Sequence, residues 1–229
     1  MSGADIPIRD AATTIVLRRG ATGTRVLMGM RGEQAVFMPS KYVFPGGAVD
    51  AADALAPLSR PLAQLHIDRL TAEPRHGAAS PHAIAAAALR ELAEETGQLI
   101  GQADGPVSDW PGYAETRLSP DASALTYIFR AITPPGRPRR FDAHFFAVDA
   151  AALSSDPDDF SRACDELSHL HWVPLPEVRA LNLPFITEVV LAELAELAGS
   201  VTYDTPLPVP DTVPFFDNRG HAPRFSQII

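Results

Sequence analysis

Alternating and continuous apolar segments, bounded by glycine and proline, predict most of the strands of this chain. Gly20 and Gly23 supply turn chemistry between the first two segments, and Pro134, Pro135 and Gly136 separate two later ones. The predicted strands are residues 12–18, 25–30, 42–44, 125–132, 141–148 and 172–173.

The helix with the clearest boundaries lies between Ser80 and Gly97. Ser80 is a favourable N-cap, Pro81 suits the first helical position, and Gly97 suits the position just after the last turn. Residues 185–197 show helical spacing of apolar positions. A mixed sheet sandwiched between helices, an α/β (α+β) fold, is therefore expected.

Two segments lack a strong periodic pattern. Residues 54–79 are rich in Ala, Pro, Arg and His, with a weak amphipathic stretch at 62–70, and are predicted to be an insertion. Residues 200–229 contain four prolines between 206 and 214 and are predicted to be an extended or loosely packed tail. This tail could also serve as a protein-interaction segment.

Three glutamates share one side of the predicted helix. At 100° per residue, Glu91, Glu94 and Glu95 lie apart from the apolar stripe that contains Leu89 and Leu92. Hard divalent cations such as Mg²⁺ or Mn²⁺ bind carboxylate oxygens and commonly join them to phosphates. A solvated Glu-rich face is the alternative, but the spacing from Arg90 to Gly97 arises by chance with a probability on the order of 10⁻⁴.

The segment from Arg90 to Gly97 resembles the second half of the Nudix box, the signature of the Nudix hydrolases. Residues 44–53 resemble its first half, with Gly47 at its Gly and Asp53 at its first Glu. The chain departs from the pattern in three ways: Asp replaces Glu at 53, polar Gln98 replaces an apolar residue, and the box is 29 residues longer than usual. The resemblance implies a Nudix fold over one domain, residues 1–229.

The resemblance also implies a set of site residues. The expected metal ligands are Glu91, Glu94 and Glu95, joined by a backbone carbonyl near Gly46 or Gly47, while Asp53 pairs with Arg90. Glu166, which precedes the 172–173 strand, is a candidate ligand or general base, with a solvated acid as the alternative. The predicted catalytic set is Glu91, Glu94, Glu166 and Arg90, and the predicted structural residues of the box are Gly46, Gly47, Asp53 and Gly97. Structural roles are favoured for His144, His169 and His171.

The substrate prediction comes from a narrower resemblance. Residues 26–31, 37–47, 132–134 and 139–146, with the long box, are similar to the branch that includes peroxisomal coenzyme A diphosphatases. Coenzyme A or acyl-coenzyme A, cleaved to 3′,5′-ADP and phosphopantetheine, is the expected substrate. The insertion is expected beside the active site, covering the acyl or pantetheine end. Predicted phosphate-binding residues are Arg31, Arg137, Arg139 and Arg140.

Two kinds of alternative stay open. Within the fold, the substrate could be ADP-ribose, a dinucleoside polyphosphate or a nucleoside triphosphate. A non-catalytic Nudix-fold regulator is the alternative from another class, but it predicts lost box carboxylates or a basic recognition helix, and the sequence has neither.

The composition of the chain limits the classes of molecule that it is expected to bind. The net charge of −9 gives no electrostatic reason for binding nucleic acid or an anionic membrane. A single cysteine, Cys164, excludes an intrachain disulfide and is predicted to be a small buried side chain. No secretory signal is recognisable, so a cytoplasmic location is expected, with a small nucleotide-derived molecule as partner. Nudix enzymes are often dimers, which admits a homodimer without fixing the oligomeric state.

Overall fold

The computed structural model describes residues 6–35, 38–220 and 222–229. Its strands are β1 Ile8–Gly20, β2 Gly23–Arg31, β3 Tyr42–Val43, β4 Gly46–Ala48, β5 Gly101–Gln102, β6 Ser119–Pro120, β7 Thr126–Ile132, β8 Arg140–Asp149, β9 Leu167–Pro174, β10 Val213–Asp217 and β11 Arg224–Ile228. Its α-helices are α1 Gln64–Thr71, α2 Pro81–Thr96, α3 Tyr113–Thr116 and α4 Phe185–Gly199. A short 3-10 helix, Ala51–Leu55, follows β4.

Nine strands of the described residues form one mixed sheet. Its main order is β11-β10-β7-β8-β1-β2-β3, with β4 paired to β1 and β9 paired to β2. The central pair, β1 and β8, is parallel, while β7 and β8 are antiparallel. Side chains alternate across the sheet, so Ala12 and Val16 face one core and Ile15 and Leu17 face the other.

Helices α2 and α4 cover opposite faces of the sheet. The interior of α2 is almost wholly buried against the core that contains Val16, and the Thr14 hydroxyl donates to the Ala88 carbonyl at 2.9 Å. Leu191 and Leu194 of α4 lie in the core that contains Leu17. The predicted fold class, a mixed sheet between helices, is confirmed. Among the described residues, no helix has the length and apolar character needed to cross a membrane.

The prediction for the tail was wrong. Residues 213–217 and 224–228 are strands of the main sheet, and β10 pairs in parallel with β7, with Phe215 opposite Arg130. Val213 and Phe215 are fully buried. The prolines suggested a loose segment because their effect is local, whereas the pairing with β7 spans about eighty residues of sequence and leaves no local pattern.

The insertion is fixed to the sheet and to the C-terminal segment. Arg69 of α1 donates to the carbonyls of Pro210 and Asp211. Arg75 contacts Asp10 at 2.7 Å and Asp142 at 3.3 Å. The C-terminal end of the insertion leads into α2, whose first residue, Pro81, lies ten residues before Glu91, or about 15 Å along the helix axis. Its N-terminal end follows Asp53, which bonds to Arg90. That the insertion covers the acyl or pantetheine end of the substrate stays a prediction.

Asp10 binds Arg75 and the Ala79 amide of the insertion, and its ionisation should make the unfolding free energy vary with pH in the acidic range. Burial raises the pKa of Asp10, but interactions with His144, Arg75 and the Ala79 amide outweigh it and lower the pKa from 3.8 to about 2. Ionised Asp10 therefore stabilises the fold fully above pH 3.8, and this contribution disappears as pH falls through about 2. We expect it to be worth about 2 kcal/mol.

Urea unfolding of wild type and Asp10→Asn between pH 5 and pH 2 tests this contribution. The difference in unfolding free energy between the two proteins should shrink by about 2 kcal/mol as the pH falls. A difference that stays constant over this range would show that Asp10 is not the group that titrates.

Candidate active site

The carboxylates of α2 differ in exposure. Glu95 is buried, the Glu91 side chain is nearly so, and the Glu94 side chain is 33% exposed. Glu91 and Glu95 lie where the last turns of α2 meet β4. The helix ends at Gly97, whose positive φ of 72° favours glycine.

Arg90 connects the two halves of the Nudix-like box, residues 44–53 and the C-terminal part of α2. Its guanidinium makes two hydrogen bonds with Asp53, at 2.9 and 3.0 Å, and a third with the Ala48 carbonyl at 3.1 Å. It also contacts Glu91 at 2.8 Å and Glu94 at 3.0 Å. Burial lowers the pKa of Arg90, but its carboxylate partners outweigh burial and raise it. Arg90 is therefore a permanent cation that holds two parts of the box together.

Removing Asp53 should destabilise the protein strongly. The Asp53 carboxylate is 1% exposed, so Asp53→Ala leaves a buried guanidinium without its main partner. We expect a loss of about 3–5 kcal/mol in unfolding free energy, measured by urea denaturation. The matched control is Asp50→Ala, whose carboxylate is 62% exposed and 4.0 Å from Arg90, and which should cost less than about 1 kcal/mol. Equal losses in the two variants would refute this role.

Strand β4 brings two glycines against the carboxylates. The Gly46 amide donates to Glu95 Oε2 at 2.7 Å. A Cβ atom added at Gly47 would lie 2.5 Å from the Glu91 carboxylate, so only glycine allows this approach. The backbone at 46–47 therefore lies directly against the carboxylates of α2.

The donor set fits a hard divalent cation. Burial raises the pKa of Glu91 to about 7, with Arg90 opposing and the neighbouring glutamates adding to the shift. Burial likewise raises the pKa of Glu95 to about 8, opposed by the Gly46 amide. Among the described residues, none donates a hydrogen bond to the buried Glu95 Oε1. A divalent cation favours the charged form of such carboxylates and takes oxygen ligands of this kind.

Glu166 approaches the same carboxylates from the segment before β9. Its charge contributes to the raised pKa of both Glu91 and Glu95. The Arg31 guanidinium holds the Glu166 carboxylate at 2.8 Å, and that carboxylate is half-exposed. The structure thus brings together Glu91, Glu94, Glu95, Glu166 and Arg31.

Comparisons with known proteins identify the family. A scan against models of protein families finds no match. A Caenorhabditis elegans protein named as a nudix hydrolase, number 7, is 31% identical over 222 residues, which cover 84% of this chain and 65% of the relative. The crystal structure of a NUDIX hydrolase from Alicyclobacillus acidocaldarius is 30% identical, with a TM-score of 0.61, covering 88% of this chain and 99% of that one. The chain belongs to the Nudix hydrolase superfamily. It spans about two thirds of the length of the worm relative.

Three predicted phosphate-binding arginines lie away from the Nudix box carboxylates. Arg140 is buried, donates to the carbonyls of Thr133 and Asn218, and stands opposite Ile8 of β1. Gly46 stands opposite Thr13, five residues further along β1, or about 17 Å. Arg137 and Arg139 are exposed in the connection that leads into β8. Arg140 therefore supports the sheet, and phosphate binding by these three arginines stays a prediction.

The prediction for Cys164 was also wrong, since this side chain is exposed. Its segment crosses the C-terminal end of the Nudix helix α2, where the Cys164 amide donates to the Glu94 carbonyl at 2.8 Å. The residue is accessible because it lies on the outer side of a loop and not in a strand or a helix. No periodic pattern in the sequence could reveal this.

The histidines divide between the interior and the surface. His144 is buried, and its Nδ1 lies 3.0 Å from the Tyr127 hydroxyl, while His169 and His171 are exposed on β9. Ligand atoms of His144, Asp10 and Asp142 lie within 4.8 Å of one another, a grouping that could hold a metal ion. Arg130 and Arg75 already neutralise its carboxylates, so we assign this cluster to the anchoring of the sheet.

Gln98, two residues beyond the last residue of the Nudix helix, was not among the predicted site residues. It is fully buried and contacts the loop that leads to Glu166. A signal was present in the sequence, because Gln98 is polar where the Nudix pattern has an apolar residue. Its partners could not be read from the sequence, since they lie nearly sixty residues away.

Proposed function

We propose that this protein is a metal-dependent diphosphatase that hydrolyses a nucleoside diphosphate derivative, with coenzyme A or acyl-coenzyme A as its substrate. The observation that carries the proposal is the placement of Glu91 and Glu95 against the backbone at Gly46 and Gly47, with Glu94 beside them on Arg90. Buried carboxylates on one side of a helix, held by a cationic Arg90, suit the binding of a metal–diphosphate complex.

The reaction is attack of water on one phosphorus atom of the diphosphate. A P–O bond to water forms, the bridging P–O bond breaks, and the products are two phosphomonoesters. A bound Mg²⁺ or Mn²⁺ neutralises phosphate charge and makes a bound water more acidic. Glu91, Glu94 and Glu95 would hold the cation, and Arg90 keeps Glu91 and Glu94 in place.

Glu166 is the group that we assign to proton acceptance. Its carboxylate is half-exposed, so water and substrate can reach it, and the Arg31 guanidinium orients it. Arg31 also brings positive charge to the carboxylates, where it can contact a phosphate oxygen. The ionised carboxylate of Glu166 takes one proton from the attacking water and later releases it to solvent.

The choice of coenzyme A is supported by the sequence segments around the long Nudix box, above all residues 37–47, of which Phe37 lies outside the described residues. The 3′,5′-ADP half carries further phosphate. Exposed Arg137 and Arg139 are cations that a distant 3′-phosphate could contact, whereas the diphosphate lies at the Nudix helix.

A panel of substrates tests the proposal. Purified protein with Mg²⁺ or Mn²⁺ is offered coenzyme A, acetyl-coenzyme A, ADP-ribose, a dinucleoside tetraphosphate and a nucleoside triphosphate, and products are measured by mass spectrometry. We expect 3′,5′-ADP and phosphopantetheine derivatives, with one ¹⁸O incorporated from labelled water. Cleavage of ADP-ribose with none of coenzyme A would overturn the substrate. Binding of a nucleotide without cleavage of any compound would favour a regulator.

A further inference from the structure

Gln98 connects the Nudix helix to the loop of residues 154–166. Its side chain is fully buried, and its amide nitrogen donates to the carbonyls of Asp156 at 3.2 Å and Asp159 at 2.9 Å. Its amide oxygen accepts from the Ser155 hydroxyl at 2.9 Å. The nitrogen and the oxygen of this one buried amide therefore both form hydrogen bonds with the same loop.

The same loop is attached to the end of α2 by its backbone. The Ser154 amide donates to the Leu99 carbonyl at 2.7 Å, and the Cys164 amide donates to the Glu94 carbonyl at 2.8 Å. The loop also packs closely on Gly97, where an added Cβ would lie 3.0 Å from Arg162 Cβ. The Cys164 amide thereby satisfies a carbonyl in the last turn of α2, and the Ser154 amide binds the segment that follows the helix.

The loop ends at Glu166, two residues after the contact between Cys164 and Glu94. The Arg31 guanidinium holds the Glu166 carboxylate on one side, and the position of the Glu166 backbone is set by the loop that precedes it. A carboxylate must be held within a fraction of an ångström to accept a proton efficiently. The docking of the loop on α2 is thus a condition for the geometry at Glu166.

We propose that Gln98 is a positioning residue for Glu166: its side-chain amide fixes the loop of residues 154–166 on the Nudix helix and so sets the Glu166 carboxylate beside Glu91 and Glu95. This inference rests on the proposed function. An apolar residue at 98 would remove the Gln98 donor from the Asp159 carbonyl and would leave the Asp156 carbonyl with the Asp159 amide as partner. The attachment of the loop to the segment after α2 would thus be weakened.

The test is a double-mutant cycle on the full chain with Gln98→Met, Glu166→Gln and the combined variant. Met keeps the size of the side chain and removes its hydrogen bonds. We expect Gln98→Met to lower kcat about tenfold to a hundredfold with less than a threefold change in KM, as for residues that orient a functional group. Because Gln98 acts through Glu166, the combined variant should be no slower than Glu166→Gln alone.

A second measurement reports on the loop directly. Hydrogen exchange of residues 154–166 should be faster in Gln98→Met, while exchange in β1 and β8 should be unchanged. The matched control is Gln102→Met, which removes a glutamine amide bonded to Asp121, outside this loop, and should leave kcat and loop exchange unaltered. If Gln98→Met does not fold, Ser155→Ala removes the hydroxyl that joins Gln98 and Leu99 and should change kcat and exchange in the same direction.

The outcomes separate this inference from the proposed function. The positioning role would be overturned if the factors by which the two single variants lower kcat multiply in the combined variant. A normal kcat in Gln98→Met would also overturn it. If Glu94→Gln is inactive but Glu166→Gln is fully active, the diphosphatase proposal stands and the inference fails. Full activity of Glu94→Gln would instead refute the diphosphatase site itself.

Discussion

Replacing Glu94 with Gln is expected to lower kcat/KM for diphosphate hydrolysis by a factor on the order of 10²–10³ while leaving the fold intact. A metal–phosphate interaction of several kcal/mol corresponds to a loss of that size, at about 1.4 kcal/mol for each factor of ten. Glu94 is the sharpest choice among the three carboxylates because it is partly exposed, so the neutral amide is not forced into the core. Its oxygen can still accept from Arg90.

The measurement is steady-state kinetics with Mg²⁺ and with Mn²⁺, accompanied by thermal unfolding followed by circular dichroism. The control is Glu196→Gln, which makes the same chemical change at an exposed position on α4 and should leave both activity and Tm unaltered. Metal-dependent activity that survives Glu94→Gln unchanged would refute the assignment of the site. A large fall in Tm would show instead that Glu94 has a structural role.

Deleting residues 201–229 is expected to unfold the protein, whereas a loose tail could be removed without loss. The deletion removes β10 and β11 and exposes the core around Phe215, which packs under the guanidinium of Arg130 at 4.4 Å. Val213, Phe215 and Ile228 are buried, at about 1.5–3 kcal/mol each. Their sum is comparable with the whole stability of a domain, about 5–15 kcal/mol. Soluble expression and the circular dichroism spectrum are the measurements.

Two point variants measure how much individual residues of the C-terminal strands contribute to the unfolding free energy. Phe215→Ala should lower the unfolding free energy by about 3–5 kcal/mol, because it empties a closed position in the core. Phe225→Ala, on the edge strand, should cost less than about 1 kcal/mol, since Phe225 is 56% exposed. Equal effects, or a stable deletion variant, would mean that the C-terminal strands contribute little to the fold.

The Nudix box contains both features that local sequence patterns predict and features that they do not predict. The caps at Ser80 and Gly97 and the spacing of Glu91, Glu94 and Glu95 depend only on helix geometry, so the sequence sufficed to predict the helix and its carboxylates. Pairing of Asp53 with Arg90 was suggested by the resemblance alone. The shorter Asp side chain reaches Arg90 because Asp53 lies on a 3-10 helix next to β4, a local geometry that composition does not indicate.

What the sequence by itself determined is the identity of the elements whose signals are periodic: the central strands, both long helices and the row of acidic side chains. Only the tertiary structure decided the partners of β10, the burial of Arg140, the exposure of Cys164 and the contacts of Gln98. The physical reason is distance along the chain. Helix caps and side-chain alternation act over a few residues, whereas sheet pairing and loop docking depend on segments that meet only after the chain has folded.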